Sequence, residues 1–136
     1  MSYVVAVDVG GTEIKSALVD SDFNVIATTT APTPKADSTG AETVKAIAAI
    51  VAEFGATQKV EAVGLAVPGA LDETNGITRW SGNLGWKNLP IRDLLAREIN
   101  IPVAFGHDVR TGALAELRKG AAKGVNNAIF IPIGTG

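Results

Sequence analysis

Apolar and polar residues alternate in steps of two over the first thirty positions of the chain. Tyr3 to Val9 is apolar and β-branched almost throughout, which predicts a central strand. Gly10-Gly11-Thr12 follows as a turn. Glu13 to Val19 reads as a second strand, with Ile14, Ser16 and Leu18 on one face and Lys15, Ala17 and Val19 on the other. Asp20-Ser21-Asp22 turns the chain into a third strand, Phe23 to Thr30, rich in Val, Ile and Thr. Turns this short leave no room for helical crossovers, so the three strands form an antiparallel meander.

The period then changes. Ala31 to Asp37 holds two prolines and reads as a loop. Thr39-Gly40-Ala41-Glu42 fits a capping box, a hydroxyl followed three residues later by a carboxylate. The helix after it places Val44, Ile47, Val51 and Phe54 on one stripe and stops at Gly55. Val60 to Val67 predicts a fourth, buried strand ending at Pro68-Gly69. Ala70 to Lys87 reads as irregular, with glycines at 76, 82 and 85 and both tryptophans. Pro90 suits the first turn of a helix through Ile99, ended by Asn100 and Pro102. Val103 to Gly106 is a fifth strand, Val109 to Ala121 a helix, and Ala128 to Ile133 a sixth strand. The order β-β-β-α-β-α-β-α-β predicts an α/β domain: a mixed sheet, its antiparallel meander followed by βα units, with helices on its faces.

Composition narrows the function. The 136 residues carry 12 Lys+Arg against 14 Asp+Glu, and a net charge of −2 argues against a nucleic-acid or anionic-lipid partner. No cysteine is present, which excludes a disulfide scaffold, a thiolate zinc site and a thiol nucleophile in these residues. The single histidine excludes a multi-histidine metal site. The first apolar run is broken by Asp8 with no basic residue before it, unlike a signal peptide. The longest uncharged helical stretch, Ala46 to Ala52, is far below the ~20 residues of a membrane span. The cytoplasm is the expected compartment.

Two places concentrate chemistry. In Asp8-Val9-Gly10-Gly11-Thr12-Glu13-Ile14-Lys15 a carboxylate ends a strand, and two glycines let backbone N–H groups approach an anion. Thr12 adds a hydroxyl and Lys15 a positive charge, while Asp8 suits a magnesium ion held through water. In Gly106-His107-Asp108-Val109 a carboxylate lies between a strand and a helix. Asp108 there suits a general base toward an alcohol attacking a phosphoryl group, or an N-cap, or both. Neither a complete dinucleotide fingerprint nor a P-loop is present, because Ala70-Leu71 follow the Gly64/Gly69 spacing. Asn83 and the tryptophan of Ser81-Gly82-Asn83-Leu84-Gly85-Trp86 suit sugar hydroxyls and C–H faces, or simple packing.

These segments resemble the ROK family of bacterial sugar kinases and repressors, especially its glucokinase-like members. The resemblance rests on DVGGTEIK at 8–15, GLAVPGALD at 64–72, SGNLGW at 81–86, HDVRTGALAE at 107–116 and IPIGTG at 131–136. It implies a ribonuclease-H-like, actin-like ATPase fold, and ATP and Mg²⁺ as cofactors. It implies that Asp8, Gly10, Gly11, Thr12 and Lys15 form the first phosphate segment, with Asp8 near the metal. Gly134, Thr135 and Gly136 begin the second segment. Asp108 matches the catalytic base, and Gly69, Asn83 and His107 match sugar-contacting positions.

One position departs from the family, whose base is usually preceded by Asn where this chain has His107. The family's sugar-clamping Glu and His and its zinc motif match nothing in these residues. Residues 1–136 are therefore expected to be the N-terminal lobe of a hexose kinase. By themselves they are expected to be inactive and to expose apolar surface. The full protein is expected to form a homodimer or larger oligomer. A sugar-sensing regulator and another actin-like ATPase remain the alternatives. Family repressors carry a helix-turn-helix before the phosphate loop, for which a strand from Tyr3 leaves no room.

Overall fold

The computed structural model describes residues 1–134. β1 (Tyr3–Val9), β2 (Glu13–Val19) and β3 (Val25–Pro32) form the expected antiparallel meander. β3 begins two residues later than expected because Asp20 holds the preceding turn. Its Oδ1 accepts from the N–H groups of Asp22 and Asn24 at 2.9 Å each. Phe23 inside that turn takes a left-handed φ of 66°, outside the β region.

α1 (Ala41–Gly55) does not use the expected Thr39–Glu42 box. Gly40 is its N-cap residue, and Asp37 supplies the capping side chain. Asp37 Oδ1 accepts from the Glu42 N–H at 3.2 Å, and Oδ2 accepts from the Thr43 N–H and hydroxyl at 2.8 Å each. A carboxylate satisfies more first-turn donors than a hydroxyl, and its charge suits the positive end of the helix. Thr39 keeps only a 3.4 Å bond from the Ala41 N–H. Gly55 is the last helical residue rather than a left-handed stop; Ala56 continues right-handed at φ −65°.

β4 (Val60–Val67) follows as expected. Ala70 to Lys87, expected to be irregular, folds into a second antiparallel sheet. It comprises β5 (Ala70–Asp72), β6 (Ile77–Ser81) and β7 (Trp86–Leu89), in that order. The glycines that argued for a loop make its turns: Gly76 and Gly85 have φ of +71° and +69°. α2 (Ile91–Ile99) ends at Asn100, left-handed at φ 54°. β8 (Val103–His107) runs directly into α3 (Asp108–Lys119), which starts one residue before and stops two before the expected Val109 to Ala121. Residues 128–133 form no strand. They pair with no neighbouring strand, and a lone apolar segment cannot satisfy its backbone groups by itself. Ile129, Ile131 and Ile133 are exposed.

The main sheet has the order β3-β2-β1-β4-β8. β1 is antiparallel to β2 but parallel to β4, and β4 is parallel to β8. One face, with Val5, Val7, Val9, Ile14, Leu18, Val63 and Leu65, is buried with Ile47 and Phe54 of α1 and Ile91 and Leu95 of α2. The opposite face carries small residues in register: Ala17, Ala6, Gly64 and Ala104 cross the sheet in one row. The next row is Lys15, Asp8, Ala66 and Gly106. The second sheet docks through Trp86, 1% exposed, whose Nε1 donates to the Asp37 carbonyl at 2.9 Å.

Asp37 thus serves the helix and the second sheet at once. Asp37→Ala is expected to lower stability by about 2 kcal/mol or more in urea unfolding, since three charge-assisted bonds are lost from a buried site. Asp37→Asn, which keeps an acceptor, is expected to lose less. Equal stability of Asp37→Ala and the parent would refute the capping role.

Candidate active site

The parallel strands β1, β4 and β8 end at one edge of the main sheet, where α/β folds place their ligands. Asp8 is opposite Ala66, and Ala66 is opposite Gly106. Asp8 therefore stands two strand spacings, roughly 10 Å, from the backbone of Gly106. Asp108 follows two residues later, and its charge reaches Asp8. Asp8 is exposed, yet partial desolvation holds its carboxyl above its ordinary value of 3.8, the negative Asp108 raises it further, and Lys15 opposes both. Lys15 is the residue paired with Asp8 on β2.

The Gly10-Gly11-Thr12 turn is pinned from both sides. The Gly10 N–H donates to the Glu13 carbonyl at 2.9 Å, and the Thr33 N–H donates to the Thr12 carbonyl at 2.9 Å. The Thr33 hydroxyl donates to the Gly10 carbonyl at 2.7 Å. Among the described residues the N–H groups of Gly11 and Thr12 have no backbone acceptor, which leaves them for an anion. A Cβ on Gly11 would lie 3.3 Å from the Cβ of Asn83, in the β6–β7 turn. Gly11 and Asn83 border a cleft of about 540 Å³ whose other wall includes Pro34, Lys35 and Ser38. The sequence reading missed Lys35 and Ser38, because a loop with two prolines carries no periodic signal.

Gly69 does not line that cleft. Its φ is +118°, and a Cβ there would collide with the Trp80 carbonyl and stand 3.0 Å from the Ser81 Cα. Glycine is needed where the chain leaving β4 crosses β6. Asp108 is not the N-cap of α3. His107 is: its Nδ1 accepts from the Val109 N–H at 3.2 Å. Asp108 is the first helical residue, and its Oδ1 accepts from the same N–H at 2.8 Å. Arg110 pairs with Glu73 at 2.6 Å, tying the residue after β5 to the first turn of α3. Gly134 is exposed, with open space around its Cβ position. Thr135 and Gly136, expected in the second phosphate segment, lie outside the described residues. Among the described residues no three His, Asp or Glu side chains gather as a metal cluster. A divalent ion at this edge would rely on one or two carboxylates plus ligand oxygens, the usual manner of Mg²⁺.

Two carboxylates beside a glycine turn with free N–H groups form an arrangement suited to phosphate chemistry. Residues 4–136 match the ROK family. The chain belongs to the ROK family. Glucokinase from Halalkalibacterium halodurans is 32% identical over 138 residues, covering 98% of this chain and 42% of its own length. The structure of a ROK glucokinase from Streptomyces griseus, in complex with glucose and AMPPNP, superposes with a TM-score of 0.81 at 31% identity. That match covers 90% of this chain and 38% of the other. A xylose repressor from Caldicellulosiruptor bescii is 31% identical over 74 residues, 54% of this chain and 18% of its own. The chain thus spans less than half the length of each of these relatives. Its fold is that of the ROK glucokinases, the actin-like ATPase fold. No helix among the described residues is long and apolar enough to cross a membrane.

The raised pKa of Asp8 has a consequence for stability. The folded state holds the proton more tightly than the unfolded chain, so ionised Asp8 costs stability above the ordinary value of 3.8. Asp8→Asn is expected to raise the thermal midpoint at neutral pH. The gain should vanish as the pH falls to 3.8 and below, where Asp8 is protonated in both states. A pH-independent difference, or a loss at neutral pH, would contradict the assigned electrostatics.

Proposed function

We propose that this chain is the N-terminal lobe of an ATP-dependent hexose kinase that transfers the γ-phosphoryl group of ATP to a sugar hydroxyl, with glucose as the default sugar. The observation that carries this reading is that β1 and β8 bring Asp8 and Asp108 to one edge of the sheet, beside the Gly10-Gly11-Thr12 turn. Asp108 Oδ1 is engaged by the Val109 N–H, which leaves Oδ2 to take the proton of the attacking hydroxyl. The N–H groups of Gly11 and Thr12 receive phosphate oxygens, and Lys15 adds positive charge. Asp8 would hold Mg²⁺. When bound, the ion neutralises charge on the phosphoryl group in transfer. The raised pKa of Asp8 fits this, because a carboxylate held up first by desolvation and then by a like charge is relieved by a cation. Asn83 and His107 serve the sugar, and Gly69 shapes the backbone beside them. Gly134, Thr135 and Gly136 open the second phosphate segment. Phosphoryl transfer depends on positioning and exclusion of water, which a cleft closing between two lobes supplies. The complete enzyme is proposed to work as a homodimer or larger oligomer in the cytoplasm.

A ROK regulator is the second reading, favoured by the likeness to a xylose repressor over 54% of the chain. A regulator needs a sugar site but no base. In the full-length protein Asp108→Asn is therefore expected to lower kcat by about 10²–10⁴-fold. The unfolding midpoint should hold, since Asn keeps an oxygen to accept from the Val109 N–H and His107 accepts from it as well. Near-normal turnover would remove Asp108 from the chemistry, and a parent without kinase activity would favour the regulator. Gly11→Val is expected to abolish ATP binding by calorimetry, because its side chain fills the approach to the turn and presses on Asn83. Unchanged affinity would leave the turn a purely structural one.

A further inference from the structure

The turn between β5 and β6 contains Asn75-Gly76, and of the chain's asparagines only this one is followed by glycine. The fold itself demands the glycine. Gly76 has φ +71°, and a Cβ there would collide with the Arg92 guanidinium. The Gly76 N–H finds no backbone acceptor among the described residues. Asn75 is exposed. A side-chain amide followed by a backbone nitrogen with no side chain to shield it is the asparagine pair that closes most readily to a five-membered imide.

We propose that Asn75-Gly76 is a site of self-modification, converting to aspartate and isoaspartate, and that Asp72 and Arg92 set its rate by holding the turn. The Gly76 nitrogen gives its proton to solvent and attacks Cγ of Asn75. A C–N bond forms, the bond from Cγ to Nδ2 breaks, and Nδ2 leaves as ammonia with a proton from solvent. Water then opens the ring. Attack at Cγ gives aspartate. Attack at the main-chain carbonyl of residue 75 gives isoaspartate, whose backbone runs through Cγ and is longer by one carbon. In sum, one water is consumed and one ammonia released.

The hold on the turn comes from two sides. Asn75 Nδ2 donates to both oxygens of Asp72, at 3.2 and 3.0 Å, and the Asn75 N–H donates to Oδ1 at 3.1 Å. Arg79 donates to Oδ2 of the same carboxylate at 2.6 Å. Asn75 first, and Arg79 after it, keep the Asp72 carboxyl below its ordinary value of 3.8, so it remains an acceptor. From α2, Arg92 Nη1 donates to the Thr74 carbonyl at 3.1 Å and Nη2 to the Asn75 carbonyl at 3.2 Å. Closing the imide swings the amide off Asp72 and turns the peptide plane that Arg92 grips. The reaction therefore waits on local opening of the turn, whose free energy these bonds set. Afterwards the amide donor is gone and a second carboxylate stands beside Asp72. Isoaspartate also lengthens the turn, so Arg92 loses its fit to two successive carbonyls. The Arg92 N–H, which donates to the Gly76 carbonyl at 3.3 Å and joins the hairpin to α2, is released with it.

The test is to age the full-length protein in warm, mildly alkaline buffer and map it by mass spectrometry. Trypsin cuts after Lys59 and Arg79 and releases 60–79, in which Asn75 is the only side-chain amide. That peptide should gain the mass of an amide turned to an acid and separate into two products. In ¹⁸O water both should carry the heavy oxygen, and an isoaspartyl methyltransferase should label one of them. Asn24, Asn83, Asn88, Asn100, Asn126 and Asn127 should stay intact over the same time. Asp72→Ala and Arg92→Lys should each convert several-fold faster than the parent, and Asn75→Gln not at all. Hydrogen exchange at the Arg92 amide should be faster in the aged protein. An unchanged 60–79 in the folded protein while the urea-unfolded protein converts, or earlier conversion of another of these asparagines, would overturn the site. A variant at Asp72 or Arg92 that converts at the parent's rate would overturn that residue's part in the hold. Unaltered exchange at Arg92 after conversion would overturn the effect on α2.

Discussion

One buried aspartate joins the parts of this molecule that would otherwise be independent. The Asp37 side chain ends α1, and its carbonyl receives the indole of Trp86. The helix that covers the main sheet and the small sheet that walls the cleft are therefore registered to the same residue. The cleft between Gly11 and Asn83 depends on that registration, because Gly11 belongs to the main sheet's edge and Asn83 to the small sheet's turn. Movement of either sheet about Asp37 would open or close the space between them.

The second constraint is the reversal of strand direction at β1. Antiparallel pairing with β2 places Lys15 beside Asp8, while parallel pairing with β4 sends the chain exits of β4 and β8 to the same edge. A wholly antiparallel sheet would put His107 and Asp108 at the far end from the glycine turn. Asp8 and Asp108 bring like charge together at this edge, and the Asp8 carboxyl is raised by desolvation and by that charge. Their stability is supplied by the opposite, apolar face, where Val5, Val7 and Val9 alternate with Val4, Ala6 and Asp8 along a single strand. One strand thus carries the core on its odd positions and the site carboxylate Asp8 on the other face.

Most of this architecture was legible where a pattern was long enough to repeat. The meander, α1, β4 and α2 show their periods plainly, and Asp8, Lys15 and Asp108 were found because charged residues interrupt those periods at strand ends. The small sheet was not legible: its strands of three to five residues give no period, and glycines 76, 82 and 85 mask them as loop. The α1 cap was assigned to Thr39 because a capping box is a local rule. Asp37 competes from outside the window, and its two oxygens win. Ala128 to Ile133 shows the opposite failure. Its apolar alternation is a strand's, but a strand exists only beside a partner, and nothing in the local sequence reports whether one is there.

The two tryptophans of the small sheet give it an optical signature. They are the only ones in the chain, and they sit in opposite environments on adjacent strands. Trp86 is enclosed, its indole bonded to Asp37, while Trp80 is 62% exposed and close to Gly82. An enclosed indole emits at shorter wavelength and is shielded from quenchers dissolved in water; an exposed one emits at longer wavelength and is readily quenched. The blue part of the emission therefore follows the seating of the small sheet on Asp37. The red part follows what happens on its outer surface, beside the turn that carries Asn83.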